Sequence, residues 1–374
     1  MDGPVTGPCR LLALDIDGTL LGSDKRISRR TLEAVACARD KGVRIVLVTG
    51  RRHPAARVVA AQLGPGVPLV LHHGALVVEP DPAAGPDAVP RILRCLPLGR
   101  EATLAAIALG RDCGADPVVH CGLKGEGRLA VAGIAADNAM LVSYVDRSGG
   151  DRVRLSDLER DLPADSLQVM FAGRLGAMRD LFPRLVDRLR GEAKVERTFY
   201  PVLDMGFVDV LHPEVGKAEA VAFLQQRWGV ARAETVAIGD NWNDKEMLVR
   251  AGRGLVMGNA DPELHALGLE VLPTNDQDGV AVAIERYVLA NGETGKRAPN
   301  SLRRVREGGS AKRVGGRIHL AWRAPLKKHK GVIAHPPRSD DLCDSTSSSW
   351  SSEPPSWSPS SSACFKTPFL TAPG

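Results

Sequence analysis

No stretch of this chain strings together the roughly 18 apolar residues that a membrane-spanning helix needs. Its opening, MDGPVTGPCR, has no basic segment leading into an apolar one, so neither a membrane span nor a secretion leader is expected. Cysteine is sparse: Cys9, Cys37, Cys95, Cys113, Cys121, Cys343 and Cys364 are odd in number and include no C-x-x-C pair. That argues against a zinc module and a disulfide framework, and for thiols that mostly serve as packing residues in a reducing cytoplasm. Two catalytic signatures are missing as well. There is no G-x-S-x-G, which removes the usual serine hydrolase. Gly216-Lys217 ends like a phosphate-binding P-loop, but Leu211 stands where that loop needs glycine and Ala218 where it needs Ser or Thr. His72 and His73 are adjacent and would point apart on an extended chain, so a metal shared between them is not expected.

A basic surface for nucleic acid is lacking too, although the net charge is +5. Residues 291–374 carry 14 Lys and Arg against 6 Asp and Glu, a net of +8, which leaves −3 for the rest of the chain. The basicity belongs to the tail, and the slightly acidic remainder shows no footprint for a phosphate backbone. Within the tail, residues 345–362 are almost entirely Ser, Pro and Trp, without the periodic apolar positions that offset ordering entropy. Residues 291–374 are therefore expected to be a disordered tail, basic at first and then Ser/Pro-rich.

What is present reads as a globular α/β protein. The chain is 44% hydrophobic and 25% charged, and 374 residues favour two domains. Residues 11–16 form a short continuous apolar run ending at Asp17-Gly18, the pattern of a strand buried on both faces. A helix is expected over 28–38, capped by Ser28 and closed by Lys41-Gly42, and a second buried strand over 43–48 ends at Thr49-Gly50. Later, residues 207–211, 235–238 and 254–257 read as strands, with helices over 217–227 and 244–250. Such alternation implies a doubly wound parallel sheet, with ligands beyond the carboxyl ends of its strands. Residues 85–194 open in a Pro/Gly-rich stretch and carry their own strand and helix signals, which suggests an inserted α+β domain. The expected division is a core of 9–84 and 195–290 around an insert of 85–194.

The polar residues that end these strands form a chemical set. Asp15 and Asp17 are two positions apart, so both can face one cavity at the sheet edge. Burying two such charges needs a positive partner, and a divalent cation would serve. If the strands are neighbours, Asp240 joins Asp15 in the hard oxygen site that Mg²⁺ prefers. Asp15 and Asp17 can then divide the work, one attacking and the other moving protons. Thr49-Gly50 offers a hydroxyl and a backbone N–H to an anion, and Lys217 at a helix start supplies fixed positive charge.

In this order, Asp15-Ile-Asp17-Gly18-Thr19, Val-Thr49-Gly50-Arg51, Gly216-Lys217 and Gly239-Asp240-Asn-Trp-Asn243-Asp244 resemble the four motifs of the haloacid dehalogenase superfamily. The position of the insert resembles its Cof-type branch of sugar-phosphate phosphatases. The resemblance spans about residues 9–290. It implies a Mg²⁺-dependent phosphohydrolase of small phosphorylated metabolites, which the cysteine, charge and hydropathy readings above would place in the cytoplasm with no nucleic-acid or membrane partner. On it, Asp15 forms an aspartyl-phosphate and Asp17 serves as acid and then base, offering its backbone carbonyl to the metal. Thr49, Gly50 and Lys217 hold the phosphoryl group, and Asp240 ligates Mg²⁺ with Asn243 and Asp244 close behind. The insert acts as a cap that excludes water and selects the leaving group. A phosphomutase on the same scaffold and a binding protein that has lost turnover are the alternatives. One departure stands out: His73 precedes Gly74-Ala75 where family members commonly carry Asn, and it either meets the leaving group or fills the turn.

Overall fold

The computed structural model describes residues 8–83, 88–135, 137–148, 152–164 and 166–290. Strand β1 (Leu11–Leu14) is buried throughout and leads to helix α1 (Arg29–Asp40), where the Ser28 hydroxyl accepts from the Thr31 N–H. Strand β2 (Arg44–Val48), helix α2 (His53–Ala60) and strands β3 (Leu69–Leu71), β4 (Leu76–Glu79) and β5 (Arg91–Cys95) follow. Next come α3 (Arg100–Asp112), β6 (Val118–Cys121), β7 (Arg128–Val131), α4 (Ala139–Asp146), β8 (Arg152–Arg154) and β9 (Ser166–Arg174). Helix α5 (Leu175–Arg188) precedes β10 (Lys194–Tyr200) and β11 (Met205–Leu211). The chain then runs through α6 (Lys217–Trp228), β12 (Thr235–Gly239), α7 (Lys245–Arg250), β13 (Arg253–Val256), α8 (Pro262–His265), β14 (Glu270–Val271) and α9 (Gly279–Ile284).

Two sheets result. The eight-stranded sheet has the order β14-β13-β12-β1-β2-β3-β4-β5, parallel from β14 to β3 and antiparallel at β4 and β5. Its central strands are apolar on both faces because both are covered. Leu12, Leu14, Ile45 and Leu47 pack in one cluster with Val35 of α1 and Ala281 of α9, while Leu11, Ala13, Val46 and Val48 pack with Leu224 of α6 and Leu248 of α7. The six-stranded sheet, β10-β11-β9-β6-β7-β8, forms the cap. Helices α3 and α5 cover one of its faces through Ile107, Leu181 and Leu185 against Phe171 and Val210, and Leu141 and Val145 of α4 cover Val118, Leu129 and Met170 on the other.

Strand pairing departs from the expected division at two places. The strand over 207–211, grouped with the core by its apolar run, pairs with β9 and β10 in the cap sheet. Conversely, β5 lies past residue 85 yet pairs with β4 at the edge of the core sheet. An apolar run encodes burial, whereas the partner is chosen by antiparallel pairing that no local pattern reveals. Strand β1 also stops at Leu14, although the Asp15 N–H still donates to the Ile238 carbonyl at 3.1 Å.

None of the five described cysteines is in a disulfide; Cys9 and Cys121 are buried, and Cys95 and Cys113 pack against apolar clusters, but Cys37 is exposed. Among the described residues no helix is long and apolar enough to cross a membrane. The tail expected from residue 291 lies outside the described residues.

Candidate active site

Because β12, β1 and β2 are adjacent and parallel, their carboxyl ends open on one edge, and the residues that follow them are Asp240, Asp15 and Thr49. Lys217, the first residue of α6, reaches this edge. Its Nζ donates to Asp15 Oδ1 at 2.7 Å and to Asp244 Oδ1 at 2.6 Å, with all three side chains buried. The other oxygen of Asp244 accepts from the backbone N–H groups of Asp240 at 3.2 Å and Asn241 at 3.1 Å. Asp240 Oδ1 accepts from the Thr19 hydroxyl at 2.8 Å. Gly18 must be glycine here: its φ is +84°, and an added Cβ would fall 2.2 Å from Asp240 Oδ2.

The charges do not balance within the protein. Asp15, Asp240 and Asp244 each offer a carboxylate oxygen within 4.8 Å of the others, and they share one ammonium. Burial, opposed by Lys217 and reinforced by Asp244 and Asp17, pushes the Asp15 carboxyl up to about 7. Burial and the charges of Asp15 and Asp244 raise Asp240 well above the carboxylate range. Burial would lower Lys217, but the two carboxylates it bridges raise it instead. This excess of hard, buried oxygen fits a divalent cation. Asn243 sits beside the cluster, its amide donating to Thr198 of β10 at 2.8 Å, and its buried Oδ1 has no hydrogen-bond partner among the described residues.

Asp17 takes a separate position. Its carboxylate is forked by Arg51, both oxygens accepting at 2.6 Å, and its side chain is absent from the carboxylate cluster. Asp244, expected only behind the metal, is the third carboxylate of that cluster. Thr49 is buried and its hydroxyl accepts from the Arg51 N–H at 3.1 Å, which shapes the turn at Gly50. Arg52, the N-cap of α2, donates instead to the Gly127 carbonyl of the cap at 2.5 Å. Tyr200, at the end of β10, stays a neutral phenol, raised first by burial and then by the charges of Asp240, Asp17, Asp15 and Asp244.

A second set of polar side chains was legible only in part, since the sequence singles out His73 but none of its partners. His72 and His73 do not lie on an extended chain; their φ angles are +49° and +57°, and both rings turn toward the cap. His73 Nε2 lies 3.1 Å from Asp209 Oδ2, and His72 Nδ1 lies 2.8 Å from Gln168 Oε1. Gln168 donates to Asp209, His120 Nδ1 lies 3.3 Å from His72 Nδ1, and the Tyr144 hydroxyl lies 3.4 Å from His120 Nε2. The signal was present in part: His120, Gln168 and Asp209 are polar residues flanked by apolar ones in their strands, on the face that carries Val118, Met170 and Phe207.

Two outcomes are expected of this set. The His73 ring fills the space above Gly50, where an added Cβ would meet Nε2 at 2.5 Å. Gly50→Ala should displace the ring and destabilise the fold by about 1–3 kcal/mol, read as a lower Tm. Burial, opposed by Gln168, pushes His72 down to about 4 from 6.5, and burial also lowers His120. The unfolded chain thus takes up protons first, so stability present above pH 6.5 is lost as pH falls toward 4. For His72 that loss is roughly 3 kcal/mol. Thermal unfolding at several pH values checks this, since His72→Gln should flatten the slope between pH 6.5 and 4.

Three parallel strands that present Asp15, Thr49 and Asp240 around one buried lysine define a hydrolase site of the haloacid dehalogenase type. The sequence pattern of haloacid dehalogenase-like hydrolases matches residues 12–84 and 159–284, and the chain belongs to that family. It is 30% identical over 287 residues to an HMP-PP phosphatase of Serratia proteamaculans, covering 75% of this chain and 95% of the relative. It is 27% identical over 284 residues to the 5-amino-6-(5-phospho-D-ribitylamino)uracil phosphatase YitU of Bacillus subtilis, covering 74% and 97%. The crystal structure of a haloacid dehalogenase-like hydrolase from Bacteroides thetaiotaomicron superimposes with a TM-score of 0.61 at 25% identity, over 74% of this chain and 99% of that one.

Proposed function

We propose that the chain is a Mg²⁺-dependent phosphatase of small phosphorylated metabolites, working through an aspartyl-phosphate on Asp15. The observation that carries this reading is Asp15 held by Lys217 inside a buried, over-negative carboxylate cluster, one strand from the Thr49-Gly50 turn. The phosphatase names of the Serratia and Bacillus relatives support it.

Lys217 occupies Asp15 Oδ1, which leaves Oδ2 to attack phosphorus. As the new O–P bond forms, the bond to the leaving oxygen breaks, and Asp17 delivers a proton to that oxygen. Water then attacks phosphorus on Asp15, and Asp17 takes the proton back. Asp17 can do neither while both its oxygens are forked by Arg51, so the guanidinium must turn away. An arriving phosphoryl dianion at Thr49-Gly50 competes for it and releases Asp17 on cue. Asp15, Asp240 and Asp244 would hold Mg²⁺, which supplies Lewis-acid compensation for charge on the phosphoryl oxygens. The cap excludes bulk water and shapes the leaving-group side.

Purified protein should release inorganic phosphate from members of a phosphate-ester panel with Mg²⁺ and lose this activity on chelation. A protein inert toward the whole panel with Mg²⁺ present would remove the reading.

A further inference from the structure

The turn His72-His73-Gly74 has three successive positive φ angles, +49°, +57° and +112°, and two of them belong to residues with a Cβ. Such backbone is costly and persists only where the surroundings enforce it. Here the enforcing bonds come from the phosphate-binding turn. The His72 N–H donates to the Arg51 carbonyl at 3.2 Å and the His73 N–H to the Thr49 carbonyl at 3.0 Å. The imidazole of His73 is thereby laid against Gly50, its Nε2–Cε1 edge nearest.

Asp209 of the cap then fixes the ring's hydrogen. A carboxylate only accepts, so in the neutral imidazole Nε2 carries the hydrogen donated to Asp209 Oδ2, and Nδ1 is left with a lone pair. Nδ1 is buried and has no hydrogen-bond partner among the described residues. Buried acceptors without partners cost about 1–3 kcal/mol, and this one belongs to a ring pressed against the turn proposed to hold a phosphoryl group. Phosphoryl oxygens at neutral pH are acceptors and cannot satisfy it. The part of the substrate beyond the phosphate can supply a donor.

We propose that His73 is a specificity-determining residue, with Nδ1 accepting a hydrogen bond from a hydroxyl group on the leaving portion of the phosphate ester. The assignment rests on the phosphatase reading above and adds to it a preference for leaving groups that carry a hydroxyl within reach of Nδ1. Asp209 is a positioning residue: it acts through His73 by choosing the tautomer.

Two esters of equal size test this, 2-hydroxyethyl phosphate and n-propyl phosphate, which differ by a hydroxyl in place of a methyl. The wild-type protein should favour the hydroxyl ester by about tenfold in kcat/KM, and His73→Phe should bring the ratio close to one. Asp209→Asn preserves the shape of the site. Its amide can donate to Nε2 and move the ring hydrogen to Nδ1, so 2-methoxyethyl phosphate, which can only accept, should gain about tenfold on the hydroxyl ester relative to wild type. Thermal unfolding confirms that each variant is folded, and the Asn variant answers the question if the Phe variant is not. Wild-type turnover of the broad panel with no hydroxyl preference, or a preference that survives His73→Phe, or an Asp209→Asn variant with the wild-type methoxy ratio, overturns the assignment and leaves the phosphatase reading intact. A wild-type protein that hydrolyses no ester at all overturns the phosphatase reading, and this assignment with it.

Discussion

Asp15→Asn is expected to reduce phosphate release by ~10⁴-fold or more while leaving a folded protein. An amide oxygen is a poor nucleophile toward phosphorus, and no neighbouring side chain can take over the attack, because Asp240 and Asp244 are tied to Thr19, Lys217 and the backbone. Stability should move the other way. The Asp15 carboxyl is pushed up to about 7, above its ordinary 3.8, so its contribution to stability is present at low pH and is lost as pH rises through 7. Asparagine carries no charge to bury, and its Oδ1 can still accept from Lys217. Without added metal at pH 8, Tm of the variant should therefore equal or exceed that of the wild type. Steady-state phosphate release and thermal unfolding, measured on the same preparation, check the two halves separately. Wild-type turnover by this variant would dispose of the aspartyl-phosphate mechanism.

Lys217→Met is expected to damage both fold and activity. Methionine matches the length of lysine but leaves Asp15, Asp240 and Asp244 buried with no ammonium among them. Removing one partner of a buried ion pair costs about 3–5 kcal/mol, and for a protein of this size that lowers Tm by roughly 5–10 °C. The deficit should shrink as pH falls, since protonated carboxyls need no counter-charge, and it should shrink with Mg²⁺, which supplies the missing positive charge. Activity should stay low in Mg²⁺ even where Tm recovers, because methionine has no N–H to donate to Asp15 Oδ1 and cannot orient the nucleophile as Lys217 does. Recovery of Tm without recovery of turnover separates the two roles of the lysine; a Tm unaffected by the substitution would show that the cluster is not charged as described.

Much of the fold and most of the candidate site could be read from the residues in order. Leu11, Leu12, Ala13 and Leu14 announce a strand covered on both faces, Ser28 announces the start of α1, and Lys217 stands at the first position of its helix. These are local facts, set by burial, capping and backbone sterics within a few residues. Asp15, Thr49 and Asp240 were legible for a related reason: each ends an apolar strand, and parallel strands that sit side by side must bring such ends together. Asp17 shows where this reasoning stops. Alternation places it on the same side as Asp15, but Arg51 holds it apart from the carboxylate cluster, a contact between residues 34 positions distant.

The sequence by itself determined the α/β class, the strand-ending carboxylates and the family, because all of these rest on short-range patterns and their order. Tertiary structure alone decided that β11 belongs to the cap, that Asp244 completes the cluster, and that His73 meets Asp209 from 136 positions away. The physical reason is that periodicity tells a side chain whether to be buried and never against what. Partners are chosen when two sheets close on one another, and every polar group trapped between them must then find a donor or an acceptor.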